Sequence, residues 1–300
     1  TVFNIEDDNT RALALQSGDV DMAQGIRAGD IALFTDNKDY IVKTTTGTRI
    51  EFLTMNTVKS VLSDKNLRLA VNSAVDYDTI AKVVGGGAVA ARAPFPASAP
   101  YGYDELNKQT FDLEKAKTLL AEAGYKDTDN DGYVDKDGKN LELNIYGTAG
   151  GNTRANSTVA ELLESQLKTA GIKANIKIAE NLEDIKKNLE FDLLFQNWQT
   201  VSTGDSQWFL DNAFKTDGSG NYGKYSNKEL DNLINKLATT FDVKERQKIT
   251  KEASQLIIDE AYGTYIVSQA NVNVSNNKVE NMHNFPIDYY FLTADTKITK

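Results

Sequence analysis

The chain has 300 residues, 33 of them basic and 43 acidic, for a formal net charge of −10. That balance argues against a nucleic-acid binder, which needs a basic surface to displace counterions, and against docking on anionic lipid. With no cysteine and a single histidine, His283, disulfides, thiolate sites, cysteine nucleophiles and any dyad or metal centre built on several imidazoles are excluded.

No apolar run approaches the ~20 residues of a membrane span. The chain opens on Thr1 with no initiator methionine and no secretion signal, so a trimmed piece of a longer protein is expected. Asp8, Asn9 and Thr10 are capping types ahead of a helix that Gly18 should end, and residues 20–23 follow as a short strand. Residues 41–55 alternate apolar and polar with many threonines, which predicts a strand. Ser63 or Asp64 caps an amphipathic helix with Leu67, Ala70, Val71 and Ala74 at helical spacing. A second short helix at 78–84 stops at Gly85, and residues 88–103 carry three of the four prolines, marking an extended loop.

Asp112 caps a helix over 113–123 that ends at Gly124. An acidic turn (127–138), a strand (141–146), a long helix (153–170) closed by Gly171, a strand (172–178) and a helix (182–189) follow. Residues 191–195 are almost wholly apolar, as in a strand buried on both faces. A loop rich in Gly, Ser, Asn and aromatics is expected from 198 to 227, then helices at 228–239 and 244–259, a strand at 262–274 and an irregular tail. Alternating strands and helices indicate an α/β protein.

Certain segments carry a resemblance when taken together. They are NTRALALQSGDVD (9–21), FLTMNT (52–57), DKNLRLAVNSAVDYD (64–78), DLEKAKTLLAEAG (112–124), the acidic stretch 129–141, AELLESQLKTAGI (160–172), and Phe191-Asp192 followed by Trp198. In this order they resemble the C-terminal portion of the family 5 extracellular solute-binding proteins, the peptide and nickel receptors of ABC importers. The resemblance implies an α/β, periplasmic-binding-protein-like fold of type II, in the large peptide- and nickel-binding class. It implies a C-terminal ligand-binding lobe at 52–265, with parts of the neighbouring lobe at 1–51 and 266–300, and hinge crossings near residues 50 and 270. Gly204-Asp205-Ser206 departs from the frequent Gly-Asp-Pro, and no histidine lies between Thr200 and Asn227, where enteric nickel binders place one. The Gly/Ser/Asn/Tyr pattern at 218–227 looks more like the Gram-positive nickel and peptide receptors.

The function so implied is capture of an oligopeptide or nickel chelate, without chemistry, and delivery to permease and ATPase subunits. A monomer with no cofactor is expected, extracytoplasmic and either lipid-anchored at the outer face of the membrane or periplasmic. The alternative is an adhesion or signalling receptor reusing the scaffold. An enzyme is disfavoured, because a serine or threonine nucleophile would need a base and His283 is the one imidazole.

Each candidate residue has a competing structural reading. Asp205 suits a peptide amino terminus or a cationic chelate, or it caps the helix at Gln207. Arg154, expected at a helix start where a cation opposes the dipole, suits a ligand carboxylate, or it makes an exposed ion pair. Trp198, Tyr222 and Tyr225 suit a side-chain pocket or plain core. Asn56 ends the hinge strand, touching ligand or capping backbone. Asp127, Asp129, Asp131 and Asp135 resemble a calcium loop, but its twelfth position is Gly138 instead of a bidentate Glu, which favours a solvated turn. His283 would complete a nickel site only with donors carried by the ligand.

Overall fold

A computed structural model of the chain describes residues 1–150, 153 and 155–299, the side chain of Asp8 apart. Helix α1 (Asp8–Ser17) is capped one residue earlier than its sequence suggests: the Asp7 carboxylate accepts from the Thr10 N–H at 2.7 Å. Gly18, at φ +82°, closes it. After β1 (Met22–Gln24) and the single turn α2 (Ala32–Thr35), β2 (Tyr40–Met55) runs for 16 residues. Asp64 caps α3 (Lys65–Ala74), which buries Leu67, Ala70, Val71 and Ala74, and Asp76 caps α4 (Tyr77–Val84). The proline-rich loop contributes β3 (Val89–Ala90) and ends in a 3-10 turn (Tyr103–Glu105) before α5 (Leu113–Glu122), capped by Asp112.

A hairpin of β4 (Asp135–Lys136) and β5 (Lys139–Asn140) leads into β6 (Glu142–Gly147), α6 (Ser157–Thr169), β7 (Lys173–Ile178), α7 (Glu183–Asn188) and β8 (Leu193–Gln199). Then come α8 (Gln207–Ala213), α9 (Lys228–Thr239), α10 (Val243–Asp259), β9 (Gly263–Asn276), β10 (Val279–Glu280) and β11 (Lys297–Ile298).

Two boundaries differ most from expectation. Helix α6 starts at Ser157, because the Asn156 side chain caps the Thr158 and Val159 N–H groups. Strand β8 continues through Trp198 to Gln199, because β2 pairs with it from Met55 opposite Leu193 to Arg49 opposite Gln199. Its polar residues hid that length from a hydrophobicity reading.

The main sheet has the order β1-β9-β2-β8-β6-β7, with β3 also on β9. Strands β6, β7 and β8 are mutually parallel, and the other pairings are antiparallel. From β6 the chain crosses to β7 on one side and returns to β8 on the other. This places a switch point at the carboxyl ends of β6 and β8, where open α/β sheets bind ligands.

Side-chain alternation feeds both faces of the sheet. Leu53, Met55, Leu143, Ile145, Leu193 and Phe195 pack under α3–α6. Ile50, Phe52, Trp198 and Tyr265 pack with Phe209, Leu230, Ile249 and Ile257 of α8–α10. A smaller separate core holds Ala12, Leu15, Ala23, Ile26 and Phe34 against Val272 and Val274. Strands β2 and β9 run through both regions. Their pairing shifts register between Thr46, opposite Ala270, and Ile50, opposite Ser268. Gly47 lies in that break, where a Cβ would sit 2.6 Å from the Gln269 carbonyl oxygen. The boundaries expected at 51/52 and 265/266 fall within these two strands.

Candidate ligand-binding site

Strand parity puts Leu194, Gln196 and Trp198 on one face of β8. Tyr146 stands opposite Leu194 on β6, and both pack with Leu182, Phe191 and Tyr222. The Trp198 indole N–H donates to Gln196 Oε1 at 2.6 Å. Its ring lies against Trp208 at 5.7 Å and Phe209 at 5.9 Å between centroids. The Gly220 backbone approaches the same indole so closely that a Cβ would come within 2.4 Å of Cη2. Lys186 Nζ sits 4.7 Å from the Tyr222 ring centre, a cation–π contact, and is 2.5 Å from Glu183 Oε1. Beside it a cavity of about 550 Å³ opens at the carboxyl ends of β6 and β7, lined by Thr148, Gly150, Thr153, Ile178, Asn181 and Lys186.

On the opposite face, the Glu51 carboxylate is fully buried where α6 begins. It accepts from the Asn156 N–H at 3.3 Å and from Gln269 Nε2 at 3.3 Å. Two further cavities lie elsewhere. One of about 1010 Å³ lies between Val2, Phe3, Met22, Phe291 and Leu292, and one of about 940 Å³ lies beside Asp129, Lys139 and Glu142. Neither is at the carboxyl ends of the parallel strands.

The structure distributes the expected site residues unevenly. Trp198 and Tyr222 share the face just described, with Trp198 inside a strand instead of opening a loop. Asn56 is fully buried, with every polar atom on backbone: Nδ2 donates to Leu189 and Phe191 carbonyls, and Oδ1 accepts from Val58 and Lys59 N–H groups. Tyr225 is core. Its hydroxyl donates to the Tyr262 carbonyl and accepts from the Met55 N–H at 3.0 Å, and its ring stacks on Tyr262 at 4.4 Å. Burial pushes its phenol well above the usual range.

Asp205 is gripped by both prongs of Arg246, Nη2 to Oδ1 at 2.6 Å and Nε to Oδ2 at 2.9 Å, and accepts from the Gln207 N–H. Burial raises its carboxyl, but the Arg246 and Gln207 hydrogen bonds outweigh that and hold it below the ordinary carboxylate value. Nearby Tyr101 is pushed up to about 12, first by burial and then by the Asp205 charge. Arg154 lies outside the described residues.

His283 Nε2 is 3.0 Å from Asp295 Oδ2, and its ring stacks on Phe285 at 5.8 Å. The Thr293 hydroxyl and then His283 hold Asp295 down to about 2. In the acidic loop Asp127, Asp129 and Asp135 each bring a carboxylate oxygen within 4.8 Å of the others. Asp131 turns instead to the Tyr133 N–H and the Asn140 amide, which lower its carboxyl in that order.

Sequence reasoning missed Gln196, Lys186 and Trp208 at this site, and also Glu51. The one available signal was Trp208-Phe209-Leu210, since three consecutive large apolar residues on a short helix cannot all face one core.

A helix-covered mixed sheet whose two longest strands also serve a second core is the periplasmic-binding-protein-like α/β architecture, present here in part. The profile of the bacterial extracellular solute-binding proteins, family 5 Middle, matches residues 1–221, and the chain belongs to that family. It is 30% identical over 303 residues to the nickel-binding protein NikA of Staphylococcus aureus, covering 100% of this chain and 59% of that protein. It is 28% identical over 269 residues to the oligopeptide-binding protein AppA of Bacillus subtilis, covering 87% of this chain and 49% of that protein. The chain thus spans about half to three-fifths of these relatives.

The crystal structure of S. aureus NikA in complex with Ni(L-His)2 superposes with a TM-score of 0.78 at 28% identity, over 98% of this chain and 61% of that one. AppA in complex with a nonapeptide superposes with a TM-score of 0.78 at 25% identity, over 95% and 57%. A nickel ABC transporter structure from Bacillus halodurans gives 0.79 at 25% identity, over 97% and 61%. Among the described residues no helix is long and apolar enough to cross a membrane.

Proposed function

We propose that the chain is part of the solute-binding component of an ABC importer, which captures its ligand between two lobes hinged on β2 and β9 and delivers it to the permease and ATPase subunits. The carrying observation is that these two strands run through two separate cores and break register between them, at residues 46–50. A pair of strands joining two packed bodies concentrates bending where the ladder is interrupted. The ligand lies at the carboxyl ends of β6 and β8, against Trp198 and Tyr222. Anchoring by lipid at the outer face of the membrane belongs to this reading.

Of the two ligand classes, chelated nickel is the better supported. The Asp205 carboxylate, expected to hold a peptide amino terminus or a cationic chelate, is committed to Arg246, so it favours neither class. The single imidazole, His283, is engaged with Asp295 in the tail, so nickel would have to arrive with its own donors. The likeness to the nickel-binding protein NikA runs over the whole chain.

Thermal unfolding of the full-length protein against short peptides, free nickel, and nickel with L-histidine tests this. A ligand at ~100 times its Kd adds ~2.7 kcal/mol of stability. A rise in Tm only with nickel plus histidine supports the chelate reading. A rise only with peptides transfers the assignment to them. No response to any of them sinks the importer reading in favour of a receptor that reuses the scaffold.

A further inference from the structure

The chain has two tryptophans, and they lie against each other with centroids 5.7 Å apart and planes tilted by 35°. Their environments differ sharply: Trp198 is 9% exposed and Trp208 is 47% exposed. Helix α8 explains the difference. It sends Phe209 and Leu210 fully into the core, and Trp208, one position earlier, points along another direction and covers the Trp198 ring. A large indole left half in water, with one face already backed by a second indole, is a ready surface for another flat group.

A second observation on the same indole points to a ligand. Gln196, two residues before Trp198 on the same face of β8, is 1% exposed. Its Oε1 accepts the Trp198 N–H, which fixes which way the amide is turned. Its Nε2 then has no hydrogen-bond partner among the described residues. Native proteins rarely leave a buried amide donor unpaired, and such a group favours an incoming acceptor. Around this edge the wall is bare backbone at Gly220, whose missing side chain leaves the Trp198 ring in contact with the chain. Tyr222 and Lys186 stand on the same side of the sheet, next to the cavity at the ends of β6 and β7.

We propose that Trp208, backed by Trp198, and the Nε2 donor of Gln196 form a specificity subsite. It takes a flat π-bearing group that carries a hydrogen-bond acceptor beside it. The flat group stacks on the open Trp208 face, and its neighbouring carbonyl or carboxylate oxygen accepts from Gln196. Both the imidazole and carboxylate of a histidine chelate and an aromatic residue of a peptide with its carbonyl have this chemistry. The inference rests on the binding role proposed above and adds which part of the ligand is selected and by which residues.

The test is calorimetric titration of the full-length protein and its Trp208→Ala, Trp208→Phe and Gln196→Met variants with three probes: nickel with L-histidine, trialanine, and a tripeptide carrying one phenylalanine. Trp208 is half in solvent, so Trp208→Ala is expected to fold, and circular dichroism confirms that it does. The expected result is that Trp208→Ala weakens the flat probe that binds by about 5- to 10-fold, in the range of a lost aromatic stack. Trp208→Phe should restore most of that loss, and any trialanine affinity should change less than about twofold. Whichever flat probe responds identifies the source of the ring. Gln196→Met should weaken the same probe.

Unchanged affinity for every probe that wild type binds, in Trp208→Ala, overturns the subsite and leaves the importer reading standing. Equal losses for trialanine and the flat probe also overturn it. A wild-type protein that binds none of the three overturns the importer reading and the subsite with it.

Discussion

Arg49 forks the carboxylate of Asp288, Nε to Oδ2 at 2.7 Å and Nη2 to Oδ1 at 3.4 Å, so that the tail is tied to the middle of β2. Gln199 Nε2 adds a bond to Asp288 Oδ1 at 3.0 Å, and the third Arg49 donor reaches the Asn197 carbonyl at 3.1 Å. The same tail stretch bonds back to the smaller core, where Gln24 Nε2 donates to the Asp288 carbonyl at 2.8 Å. The strap therefore spans the register break between the two packed regions.

Arg49→Met and Asp288→Asn should each lower stability by about 1 kcal/mol, because the pair is partly exposed but forked. Together they should cost clearly less than the sum, since they remove one shared interaction. Urea unfolding of the two single variants and the double variant gives the coupling. Strict additivity would show that the strap does not depend on this pair.

Asp205→Asn tests the carboxylate held low by Arg246. A carboxyl depressed in the folded state contributes stability that is present above its unfolded value, 3.8, and is lost as pH falls through the folded value. At neutral pH the variant should be about 1 kcal/mol less stable, a figure reduced for the partial exposure of the pair. The difference from wild type should shrink toward zero in the acid range below pH 3.8, as read from unfolding curves at stepped pH. A difference that holds constant with pH would remove the ion pair as its cause.

Tyr225→Phe separates scaffold from ligand contact. Removing the hydroxyl leaves the buried Tyr262 carbonyl and Met55 N–H with only their own long bond to each other, at 3.4 Å. The expected cost is about 1–3 kcal/mol of stability. Ligand affinity should stay within about twofold, because the cost falls on folding and not on binding. A large loss of affinity at intact stability would return Tyr225 to the binding site.

Gly220→Ala places a methyl 2.4 Å from Trp198 Cη2, so the indole or the loop must move. Overpacking of this kind costs about 1–3 kcal/mol. Tryptophan emission should shift along with the Tm, since the two rings in contact are the chain's only tryptophans. An unshifted emission spectrum would mean that the backbone does not brace the ring.

Helices α3 and α5 were legible in the residues themselves. Asp64 and Asp112 are local caps, and the spacing of Leu67, Ala70, Val71 and Ala74 names the buried face without reference to the rest of the chain. The ordered run of segments from residue 9 to Trp198 was enough to suggest the family before any fold was seen. Strand β8 was read too short, because its continuation through Gln196, Asn197 and Gln199 depends on a ladder with β2, more than 140 positions away.

The candidate site was less legible for the same reason. Asp205 and Asn56 look available in sequence, yet Arg246 lies 41 positions from Asp205, and the carbonyls that take the Asn56 amide lie 133 and 135 positions away. Composition, caps and periodicity determined the α/β class, most helices and the exclusion of cysteine and multi-histidine chemistry, because those depend on residue type and near neighbours. Which polar groups are already satisfied, and therefore that the buried Gln196 keeps an unpaired Nε2 and Trp208 an exposed face while Asp205 and Asn56 are committed, was decided only by tertiary structure. A hydrogen bond is short-ranged in space and indifferent to distance along the chain.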